Sequence, residues 1–375
     1  MFAIPFALVA APAEWVLWRT GECWPVAWVA HRQAHDPEAI YGRGLFSQQY
    51  DALKVHRLRI DAPEILVLGD SRVMQFRRYL FPPFEDRFYN AGGAVACLDD
   101  LFAYLDAVDA GTLPRPRVLV CGLSPWWFAE GHGHDGRYLQ TPHQFHDAAV
   151  QLGAHRDAIR ILWSRWRRSQ PAVPERDPLL DGTVIGFGAR TGHAFRADGS
   201  RLYLAHVREF LAKGVYRDRE TPPVIETVRE RNRHFRPGQV FDDREARRLV
   251  DALAGMDAHG VEVHVLLPPF SNEVAEAIAA HPDLVAFQTT YRHDLTEALE
   301  AVGVAVTSVD RPAAVGLDDR AMFDGMHPGE VLCSRIVERM AAHAPAGSLL
   351  GRIDLPRLDA LRQTAAAPPL AIRVP

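Results

Sequence analysis

Short runs of aliphatic and β-branched residues recur along the chain, and the clearest of them are bounded by proline or glycine. The clearest runs cover residues 64–68, 117–121, 261–267 and 304–308, and a weaker one covers 87–89. Runs of this length and composition predict strands that are buried on both faces of a sheet.

The segments between these runs have the apolar spacing that is typical of helices. It is clearest at residues 97–110, 243–259 and 272–301, the last with a break near Pro282. Strands that alternate with helices indicate βαβ units and a parallel sheet covered on both faces. We therefore expect an α/β protein, built as a three-layer α/β/α sandwich around a central parallel sheet.

Residues 131–236 interrupt this alternation. They contain a predicted long helix at 145–168, a proline-rich break at 170–178 and a glycine-dotted stretch at 182–190. An insertion of this size between the strands of a sheet is usually a lid or cap. A helical cap is expected here.

The ends of the chain differ from the domain between them, which is expected to span residues 61–345. The predicted flanking parts are an apolar segment at 1–22, a connector with short helices at 23–60 and a tail at 346–375.

The first part of the apolar segment, residues 1–13, contains no charged side chain. It is shorter than the roughly 20 residues of a membrane span, and it lacks the basic start of a signal peptide. A buried N-terminal helix and a membrane anchor are both consistent with it. Trp15, Trp18 and Arg19 favour an interfacial location slightly, because aromatic and basic residues collect at membrane surfaces.

Composition narrows the range of partners. The chain has 42 Lys and Arg against 47 Asp and Glu, a formal net charge of -5, and no long run of one sign. Sequence-independent binding of nucleic acid is therefore not expected. The four cysteines are far apart and form no Cys-x-x-Cys pair, so they indicate neither a disulfide framework nor a compartment.

The strongest local motif is Gly69-Asp70-Ser71, where the first predicted strand passes into a helix. In an open parallel sheet, ligands gather beyond the carboxyl ends of the strands, so a serine here faces the crevice. A helix N-terminus also offers backbone N–H groups to an anion. An ordinary turn and N-cap would have the same sequence.

A second motif, Asp324-x-x-His327, stands just before the last strong helix. A serine hydroxyl needs an adjacent base to become nucleophilic, and histidine changes its charge near neutral pH. The base must be oriented by a carboxylate on its other ring nitrogen. One loop could deliver both groups, although such a pair also occurs by chance.

A third motif, Asn90-Ala91-Gly92-Gly93, follows the weak strand at 87–89. A glycine in the loop next to a nucleophile leaves a backbone N–H unobstructed, as an oxyanion hole requires. A plain turn before the next helix is the alternative.

In this order, the three motifs resemble the conserved blocks of the SGNH/GDSL hydrolase superfamily, over approximately residues 64–342. The resemblance implies a flavodoxin-like SGNH hydrolase fold, with Ser71 as nucleophile, His327 as general base and then acid, and Asp324 as orienting carboxylate. It also makes Gly92 and the Ser71 amide oxyanion donors. No cofactor is expected.

One block departs from the family. Where the family supplies an oxyanion Asn after the third strand, this chain has Gly122-Leu123-Ser124-Pro125. Ser124 could donate its hydroxyl instead, but a missing donor costs roughly 10²- to 10³-fold in rate. Two hypotheses stay open: a serine esterase or O-acyltransferase, and a weak or inactive protein of the same fold that binds polysaccharide or scaffolds an acetylation complex.

Further residues resemble the envelope-associated branch of the superfamily, such as alginate O-acetyltransferase-like proteins. Arg72, Trp126 and Trp127 carry this likeness, together with the apolar N-terminus. It implies an acylated carbohydrate or acyl donor as substrate and an anchored domain outside the cytoplasm, with a cytoplasmic location as the alternative.

In this interpretation the two indoles would stack on sugar rings, although packing of the cap onto the sheet would use them equally well. Arg196 is a candidate substrate contact or the ion-pairing residue of a surface turn. The sequence leaves the oligomeric state open.

Other candidates for chemistry are weaker. His132, His134, His143 and His146 are close together, but no carboxylate or cysteine stands at metal-site spacing with them,. A solvated loop is the better interpretation, and no metal site is expected.

Overall fold

The computed structural model describes residues 3–131, 148–214 and 224–373. Over these residues the strands are β1 (Ile40–Tyr41), β2 (Ile65–Gly69), β3 (Phe88–Gly92), β4 (Val118–Gly122), β5 (Val184–Ile185), β6 (His193–Phe195), β7 (Arg201–Tyr203), β8 (Glu262–Leu267) and β9 (Ala305–Ser308).

The helices over the same residues are α1 (Ala3–Arg19), α2 (Val26–His35), α3 (Tyr50–Asp61), α4 (Leu98–Asp109), α5 (Ala148–Arg167), α6 (Phe187–Arg190), α7 (Leu204–Lys213), α8 (Val224–Arg229), α9 (Asp243–Ala258), α10 (Asn272–Ala279), α11 (Pro282–Thr289), α12 (Leu295–Ala301), α13 (Glu330–His343) and α14 (Leu355–Gln363). None of the helices that the structure describes is long and apolar enough to cross a membrane.

The chain divides into two compact units. Among the described residues, the smaller unit holds 3–60 and 148–205, and the larger unit holds 61–131, 206–214 and 224–373.

The larger unit is built on a five-stranded parallel sheet with the strand order β3-β2-β4-β8-β9. This is the 2-1-3-4-5 order of doubly wound sheets, in which the chain changes direction of winding between the first and third strands. Here the change falls between β2 and β4, and Ser71 follows β2. The predicted α/β class with a central parallel sheet is confirmed.

The sheet is buried on both faces, which explains the continuous apolar runs of its strands. One face of the sheet shares a hydrophobic cluster with α13, and the members of this cluster include Ile65, Val67, Val118, Val120, Ile336, Val337 and Met340. Helix α4 packs against α9, which contacts β8. This arrangement is compatible with a three-layer sandwich.

The C-terminal residues are part of the same core. Leu350, Leu358 and Ile372 belong to the cluster that contains α13. The buried carboxylate of Glu330 accepts hydrogen bonds from the backbone N–H groups of Ile372 at 2.9 Å and Arg373 at 3.1 Å. The segment after residue 345 therefore adds to the stability of the larger unit.

The smaller unit contains a second, mixed sheet with the order β5-β1-β6-β7. β1 pairs parallel with β5 and antiparallel with β6, so residues of the predicted connector join residues of the insertion. The described part of the insertion contains the helices α5, α6, α7 and α8 together with the strands β5, β6 and β7. Its strands have two or three residues, too few to give a periodic pattern.

Candidate active site

Three neighbouring strands of the larger sheet end in glycine at the same level. Gly69 of β2 is in register with Gly92 of β3 on one side and with Gly122 of β4 on the other. The side chain of Val73 packs onto this row: a Cβ at Gly122 would stand 2.3 Å from Val73 Cγ1, and one at Gly92 would stand 2.8 Å from Val73 Cγ2. The glycine row lets the turn after β2 lie directly on the sheet.

Ser71 begins that turn, which is a single turn of 3₁₀ helix over Ser71–Val73. Asp70 caps it, since its Oδ1 accepts the N–H of Arg72 at 2.9 Å. Gly69 has a φ of +154°, a conformation that side chains rarely adopt. The Gly-Asp-Ser motif therefore forms a tight, capped turn that places Ser71 beyond the carboxyl end of β2.

The loop before α13 holds the second motif in a fixed shape. The Phe323 N–H donates to the His327 carbonyl at 2.9 Å. Asp324 Oδ1 accepts the N–H groups of Met326 at 2.7 Å and His327 at 2.8 Å. These bonds anchor the carboxylate and leave its second oxygen facing the His327 ring.

The three predicted catalytic side chains form one hydrogen-bonded chain. Ser71 Oγ lies 2.8 Å from His327 Nε2, and His327 Nδ1 lies 2.7 Å from Asp324 Oδ2. Because the carboxylate can only accept at Nδ1, the neutral ring carries its proton there and its Nε2 accepts the Ser71 hydroxyl. The arrangement can move a proton from the hydroxyl to the imidazole.

The charges of the pair support this assignment. Burial by itself would raise the pKa of Asp324. The charge of His327, and the hydrogen bonds that the carboxylate accepts from His327 and Met326, outweigh burial and lower that pKa to about 2. Burial would lower the pKa of His327, yet the charge and hydrogen bond of Asp324 outweigh it, and the net effect raises that pKa above 6.5. Asp324 is therefore ionised at every working pH.

The predicted oxyanion donors are largely engaged within the protein. The Gly92 N–H donates to Asn90 Oδ1 at 2.7 Å. The fully buried Ser124 donates its hydroxyl to Asp70 Oδ2 at 2.5 Å. The Ser71 N–H, by contrast, makes no hydrogen bond within the part of the chain that the structure describes. The geometry therefore differs from the expectation for Gly92 and Ser124, and of the three predicted donors the Ser71 amide is the one without a partner among the described residues.

Arg72 connects the serine turn to two other loops. Its side chain is buried, and its Nη2 donates to the carbonyls of Pro268 at 3.0 Å and Pro269 at 2.7 Å. Its Nε lies 3.4 Å from the Met326 carbonyl. Since Met326 precedes His327, one guanidinium links the loop of Ser71 to the loop of His327.

Aromatic rings complete the surroundings of this cation. The guanidinium carbon of Arg72 lies 5.3 Å from the ring centre of Trp126 and 4.5 Å from that of Phe270. Burial lowers the pKa of Arg72 to about 10, which leaves it charged at neutral pH. The predicted substrate-binding arginine is thus close to Ser71 and to the loop of His327, but it is held by protein atoms.

The other predicted substrate contacts are Trp126, Trp127 and Arg196. Trp127 is only 1% exposed, and Trp126 is 9% exposed with its ring stacked on His234 at 4.4 Å. Neither indole offers a free face to a sugar, which agrees with the alternative of structural packing. Arg196 belongs to the smaller unit, where its guanidinium donates to the Arg201 carbonyl at 2.8 Å.

No group of three potential metal ligands occurs among the residues that the structure describes. The histidines at 132, 134, 143 and 146 lie outside those residues.

Two neighbours of the site were not identified from the sequence. Tyr291 and Arg292 lie in a π-helical turn, Thr290–Asp294, between α11 and α12. The Tyr291 hydroxyl donates to the Leu123 carbonyl at 2.6 Å, and Arg292 Nη2 donates to the Pro268 carbonyl at 2.8 Å. A single π-helical turn changes the helical spacing of apolar residues very little, so the sequence pattern does not indicate it.

Comparison with known proteins yields no relative. No protein-family model matches the chain, and no curated protein or solved structure is significantly similar to it.

Proposed function

We propose that this chain is a serine-dependent acyl ester hydrolase or O-acyltransferase of the SGNH/GDSL type. The observation that carries the proposal is the continuous hydrogen-bonded chain from Ser71 through His327 to Asp324, at 2.8 and 2.7 Å. Ordered donors and acceptors at these distances are the requirement for activating a serine hydroxyl. The position of Ser71 beyond β2, at the change of winding direction, gives further support.

In the first half of the reaction, His327 Nε2 takes the hydroxyl proton as Ser71 Oγ bonds to the ester carbonyl carbon. The resulting imidazolium is stabilised by the ionised Asp324, and the oxyanion is within reach of the Ser71 N–H. When the ester C–O bond breaks, His327 returns the proton to the leaving alcohol. Ser71 then carries the acyl group.

In the second half, His327 removes a proton from water or from a second hydroxyl, which attacks the acyl-serine. The proton then passes to Ser71 Oγ as the ester to the enzyme breaks. Water gives a carboxylic acid, and a sugar hydroxyl gives a new ester, so hydrolysis and transfer share every residue of the mechanism.

The substrate class is proposed from the resemblance of the motifs. An acetylated carbohydrate or cell-surface polysaccharide is the expected acyl carrier, and the cell envelope is the expected location.

A second candidate function is a weak or inactive protein of the same fold that binds polysaccharide or scaffolds an acetylation complex. It is favoured by the engagement of Gly92 with Asn90 and of Ser124 with Asp70. With fewer free donors, the tetrahedral intermediate is stabilised less.

The two candidates are separated by turnover of p-nitrophenyl acetate together with covalent labelling by a fluorophosphonate. We expect the wild-type chain to do both and Ser71→Ala to do neither. Ser164→Ala, on helix α5 of the smaller unit, is the matched control and should behave as wild type. Full turnover by Ser71→Ala would exclude the enzymatic proposal, and glycan binding without labelling of Ser71 would favour the second candidate.

A further inference from the structure

Four tryptophans lie close together at one surface of the smaller unit. Trp15 and Trp18 are on α1, Trp24 follows α1, and Trp28 is on α2; we call them the tryptophan surface. Trp15 is 64%, Trp18 47% and Trp28 55% exposed. The ring centre of Trp18 is 5.5 Å from that of Trp28 and 6.3 Å from that of Trp24. Contiguous exposed aromatic side chains of this size mark an interaction site.

The remaining exposed side chains of this region are also apolar. One face of α1 is buried, since Ala13 and Leu17 pack against Ala158 and Leu162 of α5. The opposite face of a helix in water should be polar. Instead, apart from Arg19, the exposed residues between 10 and 28 are Ala11, Pro12, Trp15, Trp18, Pro25 and Trp28.

The charges around the tryptophan surface are mainly basic. Arg19 is exposed at the end of α1, and its guanidinium carbon lies 5.9 Å from the Trp15 ring centre. Of the two acidic residues in the same stretch, Glu22 is buried and Glu14 bonds to His155 at 2.9 Å.

Helix α2 extends the basic character of this rim. After Trp28 it exposes His31, Arg32 and His35. Arg32 also pairs with Asp36 at 2.9 Å, so the positive charge of this rim comes mainly from Arg19.

We propose that the tryptophan surface binds the interfacial layer of a lipid bilayer that contains anionic headgroups. Indole rings and arginine are the side chains that collect at the boundary between headgroups and acyl chains. Exposed apolar side chains bounded by cationic groups match the apolar interior and the anionic surface of such a layer.

The geometry of the rings distinguishes a bilayer from a sugar as the occupant. The plane of Trp18 makes angles of 75° with Trp28 and 60° with Trp24. Rings at these angles do not form the flat platform on which a sugar ring stacks. A bilayer needs no common plane, because each indole inserts separately.

The experiment is cosedimentation of the full chain with vesicles of phosphatidylcholine alone and of phosphatidylcholine with equimolar phosphatidylglycerol. We expect binding to both, with tighter binding to the anionic vesicles. The triple variant Trp15→Ala, Trp18→Ala and Trp28→Ala should lower the partition coefficient by about tenfold or more. Arg19→Glu should weaken binding to anionic vesicles only.

Matched controls are two exposed apolar residues elsewhere, Leu152 on α5 and Val240 in the larger unit, which are 72% and 54% exposed. Leu152→Ala and Val240→Ala should bind vesicles as the wild type does. Circular dichroism of each variant shows whether it is folded. Should the triple variant unfold, quenching of wild-type tryptophan fluorescence by lipids brominated on the acyl chain tests the same contact, and strong quenching is expected.

The proposal is overturned if wild-type protein binds neither vesicle, or if the folded triple variant binds as well as wild type. It is also overturned if the tryptophans instead mediate a dimer, seen in sedimentation velocity, or bind soluble polysaccharide while vesicles are ignored. None of these measurements uses the chemistry of Ser71, so the outcome is independent of the proposed enzymatic function.

Discussion

At the scale of single residues, the polar atoms around Ser71 are almost all held by other groups. Asp324 Oδ1 accepts two backbone N–H groups, and Asp70 accepts the Arg72 N–H and the Ser124 hydroxyl. Side chains fixed in this way need little rearrangement when a reaction begins. Changes at these residues should therefore alter the rate more than they alter the fold.

The protonation of His327 should determine how the activity depends on pH. His327 can accept the Ser71 proton only when it is neutral, and Asp324 raises its pKa above 6.5. The value of kcat/KM should therefore increase with pH, with a midpoint above pH 6.5, and should fall as the imidazole becomes protonated below it. A profile of kcat/KM from pH 5 to 9 measures this; a rate that is constant through that range would contradict the role of His327.

The Asp324→Asn variant tests the orienting carboxylate. Loss of the charge removes the main cause of the raised pKa of His327, so the midpoint should move to lower pH. An amide can also donate to the ring and select the wrong tautomer, so kcat should fall by roughly 10³- to 10⁴-fold, as it does in serine triads of established function. Unchanged kcat with an unchanged midpoint would show that Asp324 does not act on His327.

Two substitutions of Arg72 separate the effect of its positive charge from the effect of its forked hydrogen-bonding geometry. Arg72→Met leaves the carbonyls of Pro268 and Pro269 without this donor and removes a cation near His327. A shift of the two loops should lower kcat by about 10²-fold. The lost positive charge should raise the pKa of His327 further, because Arg72 disfavours the imidazolium.

The control for this prediction is Arg72→Lys, which keeps the charge but loses the forked geometry. It should restore the pKa of His327, followed by NMR of the ring, while restoring kcat only in part. If Arg72→Met had the wild-type kcat and the wild-type pKa of His327, the link between the two loops would have no role in the site.

At the scale of elements, the position of the serine turn depends on the glycines at the ends of β2, β3 and β4. Gly122→Ala would place a methyl group 2.3 Å from Val73 Cγ1, so the turn must move. We expect a loss of about 1–3 kcal/mol in the free energy of unfolding, and a clear loss of activity. Urea denaturation and esterase assays measure the two effects.

Two variants serve as controls for Gly122→Ala. Val73→Ala in the same chain should relieve the contact and restore part of both losses. Gly255→Ala on α9 meets nothing within 4 Å and should stabilise the protein slightly, by about 0.5–1 kcal/mol. Equal behaviour of Gly122→Ala and Gly255→Ala would mean that the glycine row does not position the turn.

The elements of the larger sheet could be predicted because their sequences are continuous apolar runs. The run at 64–68 became Ile65–Gly69, and the run at 117–121 became Val118–Gly122. The mixed sheet of the smaller unit could not be predicted, since its strands have two or three residues and pair across long stretches of sequence. The row of glycines could have been predicted from the sequence, because each of the three predicted strands is followed closely by a glycine.

At the scale of the whole molecule, the sequence predicted which distant residues meet at the site, but it did not predict the hydrogen bonds that the neighbouring groups make. Two motifs 256 positions apart, at Ser71 and His327, come within hydrogen-bond distance, because the topology of a parallel sheet brings its carboxyl ends together. The engagement of Gly92 and Ser124 could not be foreseen, since it depends on where Asn90 and Asp70 point. Sequence spacing does not contain that information.

The segment after residue 345 should contribute measurably to the free energy of unfolding of the larger unit. Leu358 on α14 is fully buried in the core that contains α13. Leu358→Ala should lower the free energy of unfolding by about 2–5 kcal/mol, measured by urea or thermal denaturation. Leu361→Ala, three residues on and only partly buried, should cost clearly less; equal costs would show that the segment is not part of this core.

The most direct test of the proposed chemistry is to trap the acyl-enzyme. Wild-type protein and His327→Gln are incubated with p-nitrophenyl acetate, quenched in acid, digested and examined by mass spectrometry. The account predicts one acetyl group on the peptide that contains Ser71 in the wild type, and a much slower appearance of that group in His327→Gln. Acetylation confined to another residue, or release of p-nitrophenol with Ser71 never modified, would contradict it.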